Sequence, residues 1–338
     1  MSGVSGGEEA FVRWLRRRLP PPSMVGDDTA EIAAAGRLVV TVDQQIEGTH
    51  FAPGLDPKLV GRRLALVNLS DLAASGARPR WALLALGVPP ESDPRPLVEG
   101  VIAVAKRFDF LLVGGDVAHA PALSASLTLI GHKPRGDASL GRDRARAGHA
   151  LWLGGTVGES ALGCELLLRG ARFEGRRLTF AAGDGDPELP RPLLPAARRA
   201  VLRNLLPTPQ LELGAWLAAL GSRRAGAAID VSDGLAKDLR RLATASAVGA
   251  ELDLRQLKRT TAPRFEALAD ALGLDPIAVA LAGGEDYALL FTLPDGIEPP
   301  AALGCTRIGT LGGRSLSMLD RDGRRHPLPR LGWDHLGT

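Results

Sequence analysis

The chain has 338 residues, of which 45% are hydrophobic, and its 41 basic and 38 acidic residues give a formal net charge of +3. This length is enough for two domains with cores that need no disulfides. The two cysteines, Cys164 and Cys305, lie far apart without His or Cys at metal-ligand spacing, which favours reduced thiols in a cytoplasmic protein. The scattered basic residues lack interleaved aromatic residues, so a nucleic-acid partner is not expected.

The N-terminal segment is predicted to be a short amphipathic helix. It lacks the uninterrupted apolar core of a signal peptide. Phe11, Trp14, Leu15 and Leu19 fall on one face, which favours packing on the domain over contact with a membrane. Since no stretch approaches about 18 consecutive strongly apolar residues, no transmembrane span is predicted and no membrane partner is expected.

Strand and helix patterns alternate along the rest of the chain, which predicts an α/β (α+β) fold. The predicted strands are 37–42, 81–88, 110–115, 123–131, 150–155, 227–231 and 287–293. The predicted helices are 59–76, 94–108, 159–169, 208–220, 234–247 and 263–272. A break near 135–148 predicts two domains, 1–137 and 138–338, and the Pro- and Gly-rich segment 183–195 is predicted to be an exposed loop.

The segment IDVSDGLAKDL, residues 229–239, places Asp230, Ser232 and Asp233 between a short apolar strand and a helix. Two carboxylates at the end of a buried strand are costly to desolvate unless something neutralises them. One interpretation is a helix cap, which needs a single side chain and suits Asp233. The other is a cation site. Asp230 lies too early in the chain to be that cap, so it distinguishes the two.

Similar acidic residues recur after apolar strands or glycine turns, at Asp27, Asp28, Asp43, Asp71, Asp116, Glu285 and Asp286. If such carboxylates converge, they repel one another unless divalent cations lie between them. Hard oxygen ligands favour Mg²⁺ over zinc, and Mg²⁺ held by carboxylates usually also binds substrate phosphates. The glycine pairs Gly114–Gly115 and Gly283–Gly284 suit close backbone approach to phosphate oxygens.

The sequence contains no Walker A motif, no protein-kinase HRD or DFG signature and no GxSxG elbow. A covalent nucleophile is therefore not indicated. These patterns together predict a metal-dependent nucleotide site of a different type from the P-loop.

Seven motifs carry a resemblance to a known family. In chain order they are GDDTA, TVDQQIEGTHF, NLSDLAASGA, LLVGGD, IDVSDGLAKDL, GGEDYALLFT and GWDHL. From about residue 7 to 336 the chain resembles the thiamine-monophosphate kinases, which belong to the aminoimidazole ribonucleotide synthetase-like superfamily. The resemblance implies a two-domain fold with ATP in a cleft between the domains, a homodimer formed through the N-terminal sheets, and transfer of phosphate from ATP to thiamine monophosphate.

The resemblance also implies roles for individual residues. The implied magnesium ligands are Asp28, Thr41, Asp43, Asp71, Asp116, Asp230 and Asp233. The implied ATP-binding residues are Gly115, Asp116, Arg142 and Ser232, although Arg144 and Arg146 are alternatives to Arg142. The implied residues facing the thiamine phosphate are His50, Glu285 and Trp333. Residues 1–137 would bind ATP and metal and form the dimer sheet, and residues 138–338 would complete the active site.

Some positions depart from the family pattern. Val42 replaces a second hydroxyl before Asp43, VAHAP at 117–121 replaces a segment usually rich in Thr and Arg, and His149 replaces a common Asp. Two alternatives therefore stay open: another ATP-dependent enzyme of the superfamily, or a non-catalytic nucleotide-binding protein. Against the first, the chain has no reactive cysteine near either terminus.

Overall fold

The structure, a computed structural model, describes residues 7–19, 35–90, 92–174, 177–180 and 189–332. Asp28 and Trp333 lie outside these ranges. The chain divides into two compact units. Unit 1 comprises Met1–Leu72 with Ala77–Gly136, and unit 2 comprises Ala73–Gly76 with Asp137–Thr338. The functions assigned to residues 1–137 and 138–338 stay predictions.

Unit 1 is built around one four-stranded sheet. Its elements are α1 (Gly7–Arg16), β1 (Arg37–Ile46), α2 (Pro57–Ser75), β2 (Arg78–Val88), α3 (Arg95–Phe108), β3 (Leu111–His119) and β4 (Ser124–Lys133). The strand order is β1-β4-β2-β3, with β2 and β3 parallel and the other pairs antiparallel. All strands and helices predicted for this half are confirmed, although β1 and β3 continue further than predicted.

The sheet of unit 1 has one buried and one exposed face because side chains alternate along each strand. On β4 the buried residues include Ala125, Leu127 and Leu129. On the opposite face of β1, Val40 and Val42 are 61% and 60% exposed. This face is therefore apolar and open to solvent in the single chain.

The N-terminal helix forms as predicted. Phe11 and Leu15 are buried, and the rings of Phe11 and Trp14 stack with their centroids 5.6 Å apart. Arg18, just beyond the helix, donates to Glu99 of α3 at 3.2 Å. The apolar face of α1 thus packs on unit 1. In the part of the chain that the structure describes, none of the helices has the length and apolarity to cross a membrane.

Unit 2 contains a seven-stranded sheet, a separate strand pair and seven α-helices within its described residues. The strands are β5 (Ala150–Gly154), β6 (Ala171–Glu174), β7 (Arg177–Phe180), β8 (Ala228–Asp230), β9 (Ala250–Asp253), β10 (Leu289–Leu293), β11 (Cys305–Leu311), β12 (Leu316–Leu319) and β13 (Arg325–Pro327). The helices are α4 (Glu159–Leu168), α5 (Leu194–Leu205), α6 (Leu211–Ala219), α7 (Leu235–Ala245), α8 (Leu254–Leu257), α9 (Phe265–Ala271) and α10 (Pro276–Ala282). The large sheet has the order β13-β12-β9-β11-β5-β10-β8, and β6 pairs with β7.

The core of unit 2 lies around the adjacent strands β5 and β10. Every residue of both strands is buried. Trp152 and Phe291 stack with their ring centroids 6.5 Å apart. A short uninterrupted apolar run is typical of a strand covered on both faces, which is why sequence patterns predicted both elements.

Helix α5 was not predicted, and its first two residues, Leu194 and Pro195, lie at the end of the segment 183–195 that was predicted to be a loop. Residues 181–188 are outside the described ranges, but α5 begins at Leu194 with Pro195 in its first turn, where proline is favourable. Its buried face consists mainly of small residues such as Ala197 and Ala200. The arginines on the other face of α5 and the prolines before the helix make this weak apolar pattern hard to recognise in the sequence.

Candidate functional site

Two acidic residues of unit 1 lie side by side on β1 and α2. The hydroxyl of Thr41 donates to Asp71 Oδ2 at 2.5 Å. Burial, followed by the neighbouring Asp71 carboxylate, raises the pKa of Asp43 to about 7. Asp43 does not end its strand, because β1 continues to Ile46, and Asp71 lies within α2 rather than after a strand. The structure thus brings together three predicted metal ligands.

Asp116 is placed elsewhere in the same sheet. It lies on β3, separated from β1 by β4 and β2, so its backbone is about 14 Å from that of Asp43 at about 4.8 Å per strand spacing. Register pairs Asp116 with the exposed Ala85, whereas Asp43 pairs with the buried Leu127. Unit 1 therefore presents Asp116 on a different face from the Thr41–Asp43–Asp71 group.

His50 lies in the turn that follows β1. Its Nδ1 accepts the backbone N–H of Ile46 at 3.2 Å. This bond defines the tautomer, because the accepting nitrogen carries no proton and Nε2 then carries it. The bond holds the ring against the end of the strand, and the predicted contact with thiamine phosphate stays a prediction.

In unit 2, the DVSD turn is held by hydrogen bonds to the side chain of Asp238. Strand β8 ends at Asp230, which is 4% exposed, and Gly234 is the N-cap of α7 without a side-chain cap bond. The wholly buried Asp238 accepts the backbone N–H groups of Ser232 and Asp233 through Oδ2, at 3.1 and 3.0 Å. The predicted capping role of Asp233 is wrong, because Gly234 is the N-cap of α7 and the Asp233 carboxylate pairs with Arg241 and Lys237 instead of accepting an N–H of the first helical turn.

The carboxylate of Asp233 instead makes ion pairs. Arg241 Nη2 lies 2.5 Å from Asp233 Oδ2, and Lys237 Nζ lies 3.3 Å from the same oxygen. Arg241 Nη1 also reaches Asp238 Oδ1 at 2.7 Å. One guanidinium thus links the two carboxylates that shape the turn.

The GGED loop, residues 283–286, lies directly beside the DVSD turn, residues 230–233. Glu285 N–H donates to Ser232 O at 2.7 Å, and Tyr287 N–H donates to Val231 O at 2.9 Å. Glu285 and Tyr287 both have left-handed backbone angles, with φ of 63° and 51°. The predicted strand 287–293 therefore starts only at Leu289. These contacts bring three predicted site residues of unit 2, Ser232, Asp233 and Glu285, into one small region.

Glycine is required in two motifs by close backbone packing. A Cβ at Gly284 would lie 2.6 Å from the carbonyl oxygen of Ser232, and one at Gly115 would lie 2.0 Å from that of Leu84. Protein backbone therefore already accounts for both glycines. The predicted approach of phosphate to them stays a prediction.

Asp286 and Asn204 are residues of this region to which the family resemblance gives no role, although Asp286 is one of the recurring carboxylates of the sequence. Asp286 is fully buried and accepts the N–H groups of Gly158 and Ser160 at 2.5 and 3.0 Å, at the start of α4. Burial raises its pKa to about 7, although both hydrogen bonds oppose this rise. Asn204 on α5 donates to Ser160 Oγ and to Glu285 Oε2. The GGED motif pointed to Asp286, but no motif pointed to Asn204.

The three candidate arginines before β5 differ in their surroundings. Arg144 donates to the carbonyl of Ser222 at 3.0 Å. The backbone carbonyl of Arg142 accepts the hydroxyl of Ser246 at 2.7 Å, while its side chain is exposed, as is that of Arg146. Arg142 and Arg146 are therefore better placed than Arg144 to meet an external anion.

The chemistry of the donor groups fits Mg²⁺ in unit 1. Among the described residues, no group of three or more His, Cys, Asp or Glu side chains is placed to hold a metal ion. Mg²⁺, however, is usually held by one or two carboxylates together with phosphate oxygens and water. Burial, followed by the Asp71 carboxylate beside it, raises the pKa of Asp43, and a divalent cation at this pair would favour the charged form of both carboxylates.

Comparisons with known proteins agree with this organisation. Residues 26–132 match the family described as AIR synthase related protein, N-terminal domain. Thiamine-monophosphate kinase of Salmonella typhimurium is 35% identical over 84% of this chain and 80% of its own length. That of Escherichia coli K12 is 32% identical over 97% and 96%.

Solved structures agree across both units. Thiamine-monophosphate kinase from Stenotrophomonas maltophilia has a TM-score of 0.75 at 33% identity, covering 94% of this chain and 97% of its own. AaThiL complexed with AMPPCP and TMP has a TM-score of 0.74 at 29% identity, covering 98% and 97%. The hydrogenase maturation protein HypE, at 21% identity and a TM-score of 0.71, shares the fold. The α/β fold is thus confirmed, and the chain belongs to the thiamine-monophosphate kinase family.

Proposed function

We propose that the chain catalyses phosphorylation of thiamine monophosphate by ATP, giving thiamine diphosphate and ADP. The observation that carries the proposal is its relationship to kinases of that name across nearly its whole length, including a structure with AMPPCP and TMP bound. AMPPCP is an analogue of ATP. The adjacent DVSD and GGED loops support the proposal by bringing predicted nucleotide-binding and substrate-binding residues together in unit 2.

Direct transfer is the proposed reaction. Phosphoryl transfer depends mainly on in-line positioning and on neutralising charge, and needs no covalent intermediate. Ser232, Gly115, Asp116 and Arg142 would bind ATP. His50, Glu285 and Trp333 would face thiamine phosphate, whose thiazolium ring is cationic and suits a carboxylate and an aromatic face.

Magnesium is part of the proposal. Thr41, Asp43 and Asp71 would hold one ion, and Asp28, Asp116, Asp230 and Asp233 are the other proposed ligands. When bound, Mg²⁺ neutralises the charge that develops on the phosphate oxygens. To bind Mg²⁺, Asp233 would have to share its carboxylate with Arg241 and Lys237, which already pair with it.

A coupled ADP-release assay with and without thiamine monophosphate tests the function. ADP release that requires both thiamine monophosphate and Mg²⁺ is expected. Release that depends on another acceptor would indicate a different enzyme of the superfamily. Nucleotide binding without release would indicate a non-catalytic protein. Radiolabelled γ-phosphate retained on denatured protein would exclude direct transfer.

We also propose a homodimer formed through the exposed sheet face of unit 1. This face carries Leu38, Val40 and Val42 of β1 and Leu83 of β2, each more than a third exposed. A second copy of the chain would cover the apolar part of this face by matching it with its own, and would have to leave Asp116 on β3, which lies on the same face, open to ATP and Mg²⁺. Sedimentation should give a dimer for the wild-type protein and a monomer of 35.5 kDa for Val40→Asp. Val39→Asp cannot serve as a control, because Val39 lies on the other face of the sheet and a charge there would perturb packing. A wild-type monomer at micromolar concentrations would contradict this assembly.

A further inference from the structure

Asn204 connects helix α5 to the GGED loop. It is 6% exposed, and its Nδ2 donates to Glu285 Oε2 at 2.9 Å and to Ser160 Oγ at 3.1 Å. An amide buried to this degree rarely changes conformer, because each alternative would leave its polar atoms without partners. Asn204 is therefore a fixed donor aimed at a carboxylate that the sequence motifs assign to substrate binding.

The main chain around Glu285 is held in an uncommon conformation. Glu285 and Tyr287 are both left-handed, at φ of 63° and 51°, although neither is glycine. Such angles persist only where the surroundings enforce them, and they cluster at functional sites. Here the N–H groups of both residues bond to the DVSD turn, and Asp286 between them bonds to the start of α4.

This arrangement determines where the Glu285 side chain starts but not where its carboxylate points. A glutamate side chain has three rotatable bonds and samples many conformers unless a contact selects one. The hydrogen bond from Asn204 selects one. Because the amide is neutral, it orients the carboxylate without cancelling its negative charge, unlike the guanidinium that pairs with Asp233.

We propose that Asn204 is a positioning residue that orients Glu285 toward the cationic, phosphorylated substrate. The inference rests on the proposed function, because it takes Glu285 to face thiamine monophosphate. It adds a specificity-determining contact from α5, a segment outside all the sequence motifs. Asn204 itself needs no contact with the substrate.

Four variants test the role: Asn204→Ala, Asn204→Asp, Glu285→Gln and the control Ser160→Ala. The control removes one partner of Asn204 and leaves its bond to Glu285 intact. Asn204→Asp keeps the shape but replaces the donor with a second carboxylate, so it stays informative if Asn204→Ala loses stability. Each is measured by calorimetric binding of thiamine monophosphate, by KM for both substrates, by kcat and by melting temperature.

The expected result is a selective loss. Asn204→Ala and Asn204→Asp should weaken thiamine monophosphate binding by about tenfold, as for loss of a hydrogen bond to a charged group, while KM for ATP stays within about twofold. Ser160→Ala should change neither. Equal loss of both substrates, equal effects of Ser160→Ala, or unchanged binding in both Asn204 variants would overturn the proposal.

The Glu285→Gln variant separates this inference from its premise. If Glu285→Gln weakens thiamine monophosphate binding but the Asn204 variants do not, only the positioning role fails. If Glu285→Gln also binds normally, Glu285 does not recognise the substrate and the inference fails with it. If the wild-type protein binds no thiamine monophosphate, the proposed function itself is wrong.

Discussion

The acidic residues of unit 1 and unit 2 are accommodated in different ways. In unit 1, burial, followed by the neighbouring Asp71 carboxylate, raises the pKa of Asp43 to about 7. In unit 2, Asp233 and Asp238 share the guanidinium of Arg241, and Asp238 also accepts two backbone N–H groups. The DVSD turn thus pairs its carboxylates with cations of the protein itself, although burial still raises the pKa of Asp238, whereas burial and the neighbouring Asp71 leave Asp43 favouring a proton or an added cation.

The largest expected effect is loss of catalysis when a proposed metal ligand is neutralised. Asp43→Asn and Asp230→Asn should each lower kcat by about 10²-fold or more at saturating Mg²⁺, because charge stabilisation dominates phosphoryl transfer. Asp43→Asn should keep its melting temperature, since burial and the neighbouring Asp71 already disfavour the charged form of Asp43. Asp322→Asn, an exposed acid, is the control. A near wild-type rate in either variant would make that aspartate structural only.

The ion pairs of the DVSD turn predict that removing the Arg241 guanidinium destabilises the fold of unit 2. Arg241→Gln leaves the wholly buried Asp238 without its guanidinium partner and should lower the free energy of unfolding by about 1–2 kcal/mol, a value reduced for the partial exposure of Arg241. Denaturant titration measures it. Lys237→Gln, which loses one longer ion pair, should cost less than about 1 kcal/mol. Equal effects of the two variants would contradict a central role for Arg241.

Asp286 predicts a pH dependence of stability. Its pKa in the folded protein, about 7, exceeds the ordinary value of 3.8, so the folded state binds the proton more tightly. The stabilisation from the protonated form is therefore present at low pH and is lost as pH rises from about 4 to about 7. Asp286→Asn should flatten this slope in unfolding titrations at pH 5 and pH 8. An unchanged slope would mean that Asp286 ionises at its ordinary pKa.

The smallest expected effect concerns Val42, the departure from the family's second hydroxyl. Alternation along β1 places Val42 on the exposed face, 60% open, while Thr41 and Asp43 point to the other face. Val42→Thr should therefore change kcat by less than about twofold and the stability of the separated monomer by less than about 0.5 kcal/mol, and any larger loss of stability should come from weaker dimerisation, since Val42 lies on the proposed dimer face. A tenfold gain in activity would show that this side chain reaches the metal site after all.

Local patterns account for much of the fold. Strands β5 and β10 were predictable because uninterrupted apolar runs mark buried strands, and α1 because its apolar residues recur at helical spacing. Helix α5 was not, because small buried alanines give a weak stripe between arginines. The start of β10 was misplaced because nothing in the sequence reveals the left-handed angles of Glu285 and Tyr287.

The sequence by itself determined the family, through seven motifs in order, and the residues able to carry the chemistry. Only the tertiary structure decided which of them meet: Asp71 with Thr41, the GGED loop with the DVSD turn, and Asn204 with Glu285 across 81 positions. It also decided that Asp238, not Asp233, satisfies the donors of the turn before α7. Such contacts join residues far apart in the chain, and periodicity and motif spacing report only on near neighbours.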